Sequence, residues 1–140
     1  MIQKEIINNA KLLIGQRFLH SSNSDLGNDC IGVVYKSVIN LLTIEQKDYF
    51  NDLLLNRRFI KSNFIESLSC DNILFTKINK PKVSDIAVYS FREFPLHFAI
   101  ISNLTPLTII HSSSLIGCVV ENCIDDYWSS RFFCYLRFLF

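Results

Sequence analysis

Apolar residues recur every three or four positions in the first part of the chain, the spacing of one face of a helix. This pattern predicts an amphipathic helix over residues 2–14, ended by Gly15, and a loop over the polar, turn-rich residues 16–28. Asn28 or Asp29 can cap a second helix. The apolar positions of that helix predict its inner face: Ile31, Val34, Val38 and Leu41.

Two further helices are predicted before the middle of the chain. Thr43 and Gln46 are three residues apart, which is the spacing of a capping box at a helix start. The apolar face of this third helix continues to Leu54. A short fourth helix is predicted over residues 64–68.

After Pro81 the helical spacing gives way to short runs of β-branched and aromatic residues, each bounded by polar or turn-forming residues. Helices followed by consecutive strands indicate an α+β fold with a largely antiparallel sheet. Without a repeat or linker, residues 1–140 are predicted to form one domain. The predicted strands cover residues 85–90, 97–102, 107–111, 118–122 and 132–138.

Composition and charge exclude several classes of function. Apolar residues make up 49% of the chain, which is enough for a core, and the formal net charge of +1 gives no reason to expect a nucleic-acid partner. No apolar run reaches the roughly 20 residues of a membrane helix, so membrane insertion is not expected. The start of the chain lacks the pattern of a signal peptide, so we expect synthesis in the cytoplasm.

The five cysteines do not form a recognisable framework. Their number is odd, and no CxxC pair or nearby histidine has the spacing of a zinc site. We therefore expect no disulfide scaffold, no metal and no cofactor. Four of the cysteines fit reduced core thiols, and Cys30 differs because it opens a predicted helix.

Cys30, His97 and His111 can be read as a nucleophile, a base and an orienting ring. If His97 lies opposite His111, the hairpin turn is centred on Leu104 and both rings share a face. A slip of one residue separates them. Isolated cysteines and histidines are common, so spacing alone favours the simpler interpretation, a core thiol and two unrelated strand histidines.

Three motifs change that balance. "NDCIGVV" resembles the DCxGLV nucleophile motif of the NlpC/P60 family of papain-like cysteine peptidases. "SDIAVYSFREFPLHFAIIS" resembles the family segment in which Gly-Asp precedes a strand, a loop and the base histidine, and "TIIHSS" resembles the next strand with the third catalytic residue. The order Cys30, His97, His111 matches the order in the family.

Two longer segments resemble the phage-type branch of cell-wall peptidases within this family. They are "IGQRFLHSSNSDLGNDCIG" before the nucleophile motif and the tail "VVENCIDDYWSSRFFCYLRF". The resemblance runs from about residue 10 to the end and is weakest over residues 43–80. Two departures concern substrate preference or efficiency: Ser84 stands where the family usually has Gly, and Phe18 stands where a Tyr is frequent.

The resemblance implies a papain-like fold, with the nucleophile at a helix start packed on a carboxy-terminal antiparallel sheet. It also implies an endopeptidase of peptidoglycan stem peptides, usually cutting γ-D-glutamyl to a diamino acid. Cys30 would attack, His97 would move the proton, and His111 would orient His97.

The candidate substrate-binding residues are Phe18, His20 and Asp29, but two of them have other interpretations. Asp29 fits a helix cap better than a contact for a substrate amine, and His20 equally fits a solvated loop. Trp128 and Arg131 match the family tail, but packing for the tryptophan and an ion pair or solvation for the arginine are the simpler interpretations.

Two other functions stay open from the sequence. The chain could be a non-catalytic phage tail-tip or cell-wall-binding component, although an intact Cys30, His97 and His111 argue against a decayed site. It could also be an amidase or acyltransferase of the same fold that acts on another amide. For the peptidase and for the tail-tip alternative, the expected site of action is the bacterial cell wall. Phage-like tail proteins are the candidate partners.

Overall fold

The structure, a computed structural model, describes residues 2–19, 29–55, 73–91 and 96–140. The predicted fourth helix, His20 and Cys70 lie outside these ranges. The helices are α1 (Ile2–Leu12), α2 (Cys30–Val38), α3 (Ile44–Leu55) and α4 (Asp126–Ser129), with a 3₁₀ turn at Ile39–Leu41. The strands are β1 (Phe75–Ile78), β2 (Ile86–Ser90), β3 (Leu96–Leu104), β4 (Leu107–Ser113), β5 (Cys118–Cys123) and β6 (Phe132–Phe138).

Three helix boundaries follow from local sequence, as predicted. Gly15, at φ +91°, adopts the left-handed backbone that suits the end of a helical segment. The Asp29 carboxylate accepts a hydrogen bond from the Gly32 amide and caps α2. At α3, Thr43 Oγ1 accepts from the Gln46 amide and Gln46 Oε1 accepts from the Thr43 amide, which forms the predicted capping box.

The six strands form one antiparallel sheet in the order β1-β6-β2-β3-β4-β5. All five predicted strands are present, within two residues of their predicted ends. The strand β1 was not predicted. It holds only four residues and pairs at the sheet edge with β6, where Phe75 faces Phe138. Its existence depends on a partner more than fifty residues away, which no local pattern reveals.

The buried apolar residues form two clusters that use alternate positions of the strands. The larger cluster joins α1 and α2 to the sheet through residues such as Ile6, Val34 and Ile100. The smaller cluster contains Tyr89 and Ile109, and Trp128 packs against it. None of the helices within the described ranges is both long and apolar enough to span a membrane.

The turn before β2 contains a strained serine, and its neighbour Asp85 forms an ion pair with Arg137 of β6. Ser84 has φ +78°, a left-handed backbone that disfavours residues with a Cβ atom. The next residue, Asp85, is buried and accepts hydrogen bonds from the Lys82 amide and from Nε and Nη2 of Arg137. Asp85 therefore fixes the turn to β6.

We expect Ser84→Gly to raise the free energy of unfolding by roughly 0.5–1 kcal/mol. The left-handed backbone costs a non-glycine residue about 1–2 kcal/mol, and the greater freedom of glycine in the unfolded chain offsets part of that gain. Urea denaturation measures the difference. Ser90→Gly, in the extended backbone of β2, is the matched control and should lower stability, so equal effects of the two variants would contradict the strain at Ser84.

Candidate active site

The two strand histidines are hydrogen-bonded to each other. His97 Nε2 lies 2.9 Å from His111 Nδ1, and the rings meet edge to face with centroids 5.0 Å apart. His111 is only 1% exposed, whereas His97 is half-buried. The predicted meeting of the two rings is therefore present, with His97 as the more accessible member.

The register that brings them together differs from the predicted one. Ile100 pairs with Ile110, so His111 falls level with Ala99 and His97 is its diagonal neighbour. The two-residue turn is at Thr105 and Pro106, so the pairing considered from the sequence, with His97 opposite His111 and the turn centred on Leu104, is not the one that forms. Next to the histidines, the observed pairing of β3 with β4 is shifted by an even number of residues from the pairing considered in the sequence analysis, so both rings still lie on the same face of the sheet. Diagonal neighbours on adjacent strands are within reach of long side chains.

A third polar side chain continues this diagonal onto β5. His111 pairs with Val120, so Asn122 is the diagonal neighbour of His111 on the next strand. Asn122 Oδ1 lies 2.6 Å from His111 Nε2. We call His97, His111 and Asn122 the polar row. Burial lowers the pKa of His111 below its usual value, and the hydrogen bond with Asn122 acts in the opposite direction. His111 is therefore neutral at neutral pH.

Trp128 covers the two histidines. Its ring centroid lies 5.2 Å from that of His97 and 4.9 Å from that of His111. Asp125 Oδ1 accepts a hydrogen bond from the Trp128 amide at the start of α4, and Tyr89 packs against the indole from the sheet. An apolar cover of this kind limits water around the histidine pair and strengthens its hydrogen bonds.

Cys30 is the first residue of α2, as predicted. It is 2% exposed and belongs to the larger core cluster, which joins α1 and α2 to the sheet. The helix packs across β3 and β4, the strands that carry the two histidines. The partial positive charge at a helix start favours a thiolate. That the Cys30 sulfur lies within reach of the His97 ring stays a prediction.

The predicted substrate-binding residues are placed differently from one another. Phe18 is half-buried, and its amide donates to the Gly117 carbonyl beside the β4–β5 turn. Asp29 is the cap of α2, and its contact with a substrate amine stays a prediction, as does any role of His20. In the described part of the chain, no group of three His, Cys, Asp or Glu side chains is arranged to hold a metal ion.

Solved structures with this architecture were found by structural comparison. An NlpC/P60 family protein from Bacillus cereus matches 98% of this chain with a TM-score of 0.66 and 17% sequence identity. The chain has the NlpC/P60 fold. The peptidoglycan hydrolase RipB from Mycobacterium tuberculosis matches 96% of the chain with a TM-score of 0.55 and 11% identity.

The chain spans 40% of the length of the Bacillus cereus protein and 63% of the length of RipB. No protein-family model and no curated protein matches the sequence. The α+β architecture predicted from the sequence is thus the NlpC/P60 fold, with helices and a six-stranded antiparallel sheet.

Within this NlpC/P60 fold, the sequence interpretation missed two residues of the site. Trp128 was interpreted as simple packing, but it contacts both imidazoles. Asn122 was not singled out at all. The available signal was a polar residue in β5 on the strand next to His111, but only the register shows that the two side chains meet. Arg131 stacks on the Tyr127 ring, with its guanidinium carbon 3.8 Å from the ring centroid.

Proposed function

We propose that this chain is a cysteine endopeptidase that hydrolyses an amide bond in peptidoglycan stem peptides. The observation that carries the proposal is the hydrogen-bonded pair of His97 and His111 under Trp128. This pair lies on strands against which the helix that starts at Cys30 packs. The NlpC/P60 fold and the likeness to a peptidoglycan hydrolase support the same reaction.

In the first half of the proposed reaction, Cys30 forms a covalent acyl-enzyme. The thiolate attacks the amide carbonyl carbon, and the carbonyl electron pair moves to oxygen. His97, which holds the former thiol proton, donates it to the leaving nitrogen as the C–N bond breaks. The amine departs, and the acyl group remains on the sulfur.

In the second half, water removes the acyl group. His97 takes a proton from the water molecule as its oxygen attacks the thioester carbon. The C–S bond then breaks and releases the carboxylic acid, and Cys30 and His97 return to their starting state. His111 holds the His97 ring in place through the 2.9 Å hydrogen bond.

The start of α2 offers a site for the charge that develops on the carbonyl oxygen. Backbone N–H groups in the first turn of a helix lack intrahelical partners, and their dipoles favour a negative charge. The Cys30 amide is our candidate donor for the oxyanion. The Gly32 amide is already bound to Asp29, which keeps this first turn in a fixed conformation.

The finer features of the substrate rest on the motifs in the sequence. We propose cleavage between γ-D-glutamate and the diamino acid, with action at the bacterial cell wall, on a phage-like particle. Phe18, His20 and Asp29 are the candidate substrate contacts. At the position of Phe18 an aromatic ring can pack against the stem peptide but has no hydroxyl to donate.

Digestion of purified peptidoglycan tests the proposal. Insoluble peptidoglycan with a diamino acid in its stem is incubated with the protein, and the soluble fragments are analysed by mass spectrometry. We expect fragments with a free γ-D-glutamyl carboxylate and a free amine on the diamino acid. A cut at another amide of the stem would overturn the bond assignment. Sedimentation of the protein with peptidoglycan, without any fragment, would favour the wall-binding alternative.

A further inference from the structure

We propose that Asn122 is a positioning residue that sets the protonation pattern of both histidines, so that His97 Nδ1 is the nitrogen left to take a proton. This inference rests on the proposed function for its catalytic meaning, but not for its structural test. It depends on the directions of three hydrogen bonds in the polar row and beyond it.

The orientation of the Asn122 amide is fixed first. Its Nδ2 group donates to the Cys123 carbonyl oxygen at 3.1 Å. A carbonyl oxygen only accepts, so this contact requires the NH₂ side of the amide. The other side, Oδ1, then points at His111 Nε2 at 2.6 Å. The Asn122 amide thus has one partner for each end, the Cys123 carbonyl for Nδ2 and His111 Nε2 for Oδ1.

The tautomer of His111 follows from this orientation. Because Asn122 Oδ1 can only accept, His111 Nε2 carries the proton. His111 is neutral, since burial lowers its pKa. A neutral imidazole has one N–H, so His111 Nδ1 is left with a lone pair and accepts a hydrogen bond.

The tautomer of His97 follows in turn. His97 Nε2, at 2.9 Å from His111 Nδ1, must be the donor of that hydrogen bond. In the neutral state the single N–H of His97 is thus used, and Nδ1 carries the lone pair. All donors in the row then point the same way, from His97 through His111 and Asn122 to the Cys123 carbonyl. His97 Nδ1 is the basic nitrogen for the proton of Cys30 or water.

Without the Asn122 amide, the hydrogen bond between the two histidines can reverse its direction. His111 with its proton on Nδ1 would donate to His97 Nε2, and the proton of neutral His97 would move to Nδ1, which removes the base. Asn122→Leu keeps a similar volume but offers no acceptor. Asn122→Asp keeps an acceptor at the same reach and should restore the direction. Asn103→Leu is the matched control, because Asn103 donates to Pro106 at the far end of the hairpin.

Nitrogen-15 correlation spectra of the imidazole rings test this without any turnover, since they distinguish the two tautomers and the doubly protonated ring. The chain has three histidines, which are assigned by single substitutions. At about pH 8, above the usual imidazole pKa, we expect His111 to be Nε2–H in the unaltered protein, in Asn122→Asp and in Asn103→Leu. In these proteins His97 should carry a proton on Nε2 in every state, whether Nδ1 is bare or holds the proton of Cys30. In Asn122→Leu we expect the Nδ1–H form of His111 to become detectable.

The same variants are then compared in the peptidoglycan assay. Asn122→Leu should lower kcat/KM by about tenfold, the rate equivalent of one neutral hydrogen bond. Nδ1–H at His111 in the unaltered protein, or an unchanged tautomer in Asn122→Leu, would overturn the role of Asn122. If the expected tautomers were found in a protein that cuts no peptidoglycan, the proposed function would fail while the assignment of Asn122 stood.

Discussion

Cys30→Ala should release no fragments from peptidoglycan, a loss on the order of 10⁴-fold or more. The acyl-enzyme needs a nucleophilic atom, and alanine has none. The measurement is the rate of fragment release by mass spectrometry, after circular dichroism has shown that the variant is folded. The matched control is Cys134→Ala, which removes another buried thiol of the same core cluster. It should keep most of the activity.

Alkylation gives an independent measure of the same assignment. We expect iodoacetamide at near-neutral pH to label Cys30 faster than Cys70, Cys118, Cys123 and Cys134. Cys123 makes the comparison sharp, because it is exposed while Cys30 is buried. If the labelling rate depends on the thiolate fraction, Cys30 is labelled first. If it depends on exposure, Cys123 is labelled first. The second order, together with full activity of Cys30→Ala, would contradict the nucleophile assignment.

His97→Ala should lower kcat by about 10²- to 10⁴-fold, the usual contribution of a positioned general base. His111 acts only through His97, so its variants should be graded. His111→Asn or His111→Gln can still hydrogen-bond the His97 ring and should keep partial activity. His111→Ala should lose more. Single-turnover rates on a soluble stem peptide separate these effects on chemistry from effects on binding.

His20→Ala is the comparison variant for the histidine series. It should change substrate affinity, if anything, and leave the chemical step intact. If His20→Ala were inactive while His111→Ala kept full activity, the third residue of the site would be His20, and the function of the hydrogen bond between His97 and His111 would have to be given up.

The features predictable from the sequence are those with local causes. The caps at Asp29 and at Thr43 with Gln46 depend on contacts within four residues, and the structure contains them. The shared face of the two histidines depends on the period of two along a strand, which the hairpin preserves. The exact pairing depends on the turn at 105–106 and on an irregularity between Ile101 and Asn103. Neither is visible in the sequence, so the pairing of His97 opposite His111 that the sequence suggested is not the one that forms.

The rest of the site depends on contacts between elements that are distant along the chain or on the pairing of neighbours. Asn122 meets His111 because β5 pairs with β4 in one particular register. Trp128 reaches both imidazoles because a short helix after β5 crosses back over the sheet. Neither β-propensity nor apolar spacing indicates such a contact. From the sequence alone, Asn122 and Trp128 are therefore not distinguished from other strand and surface residues.

Trp128 is the chain's single tryptophan, and it touches both histidines. Indole emission is quenched by a nearby protonated imidazole and shifts when its surroundings become wetter or drier. The intrinsic fluorescence of the unlabelled protein is therefore an optical signal from one place, the histidine pair. A stem peptide that displaces water from the pair would therefore be visible as a shift of the indole emission.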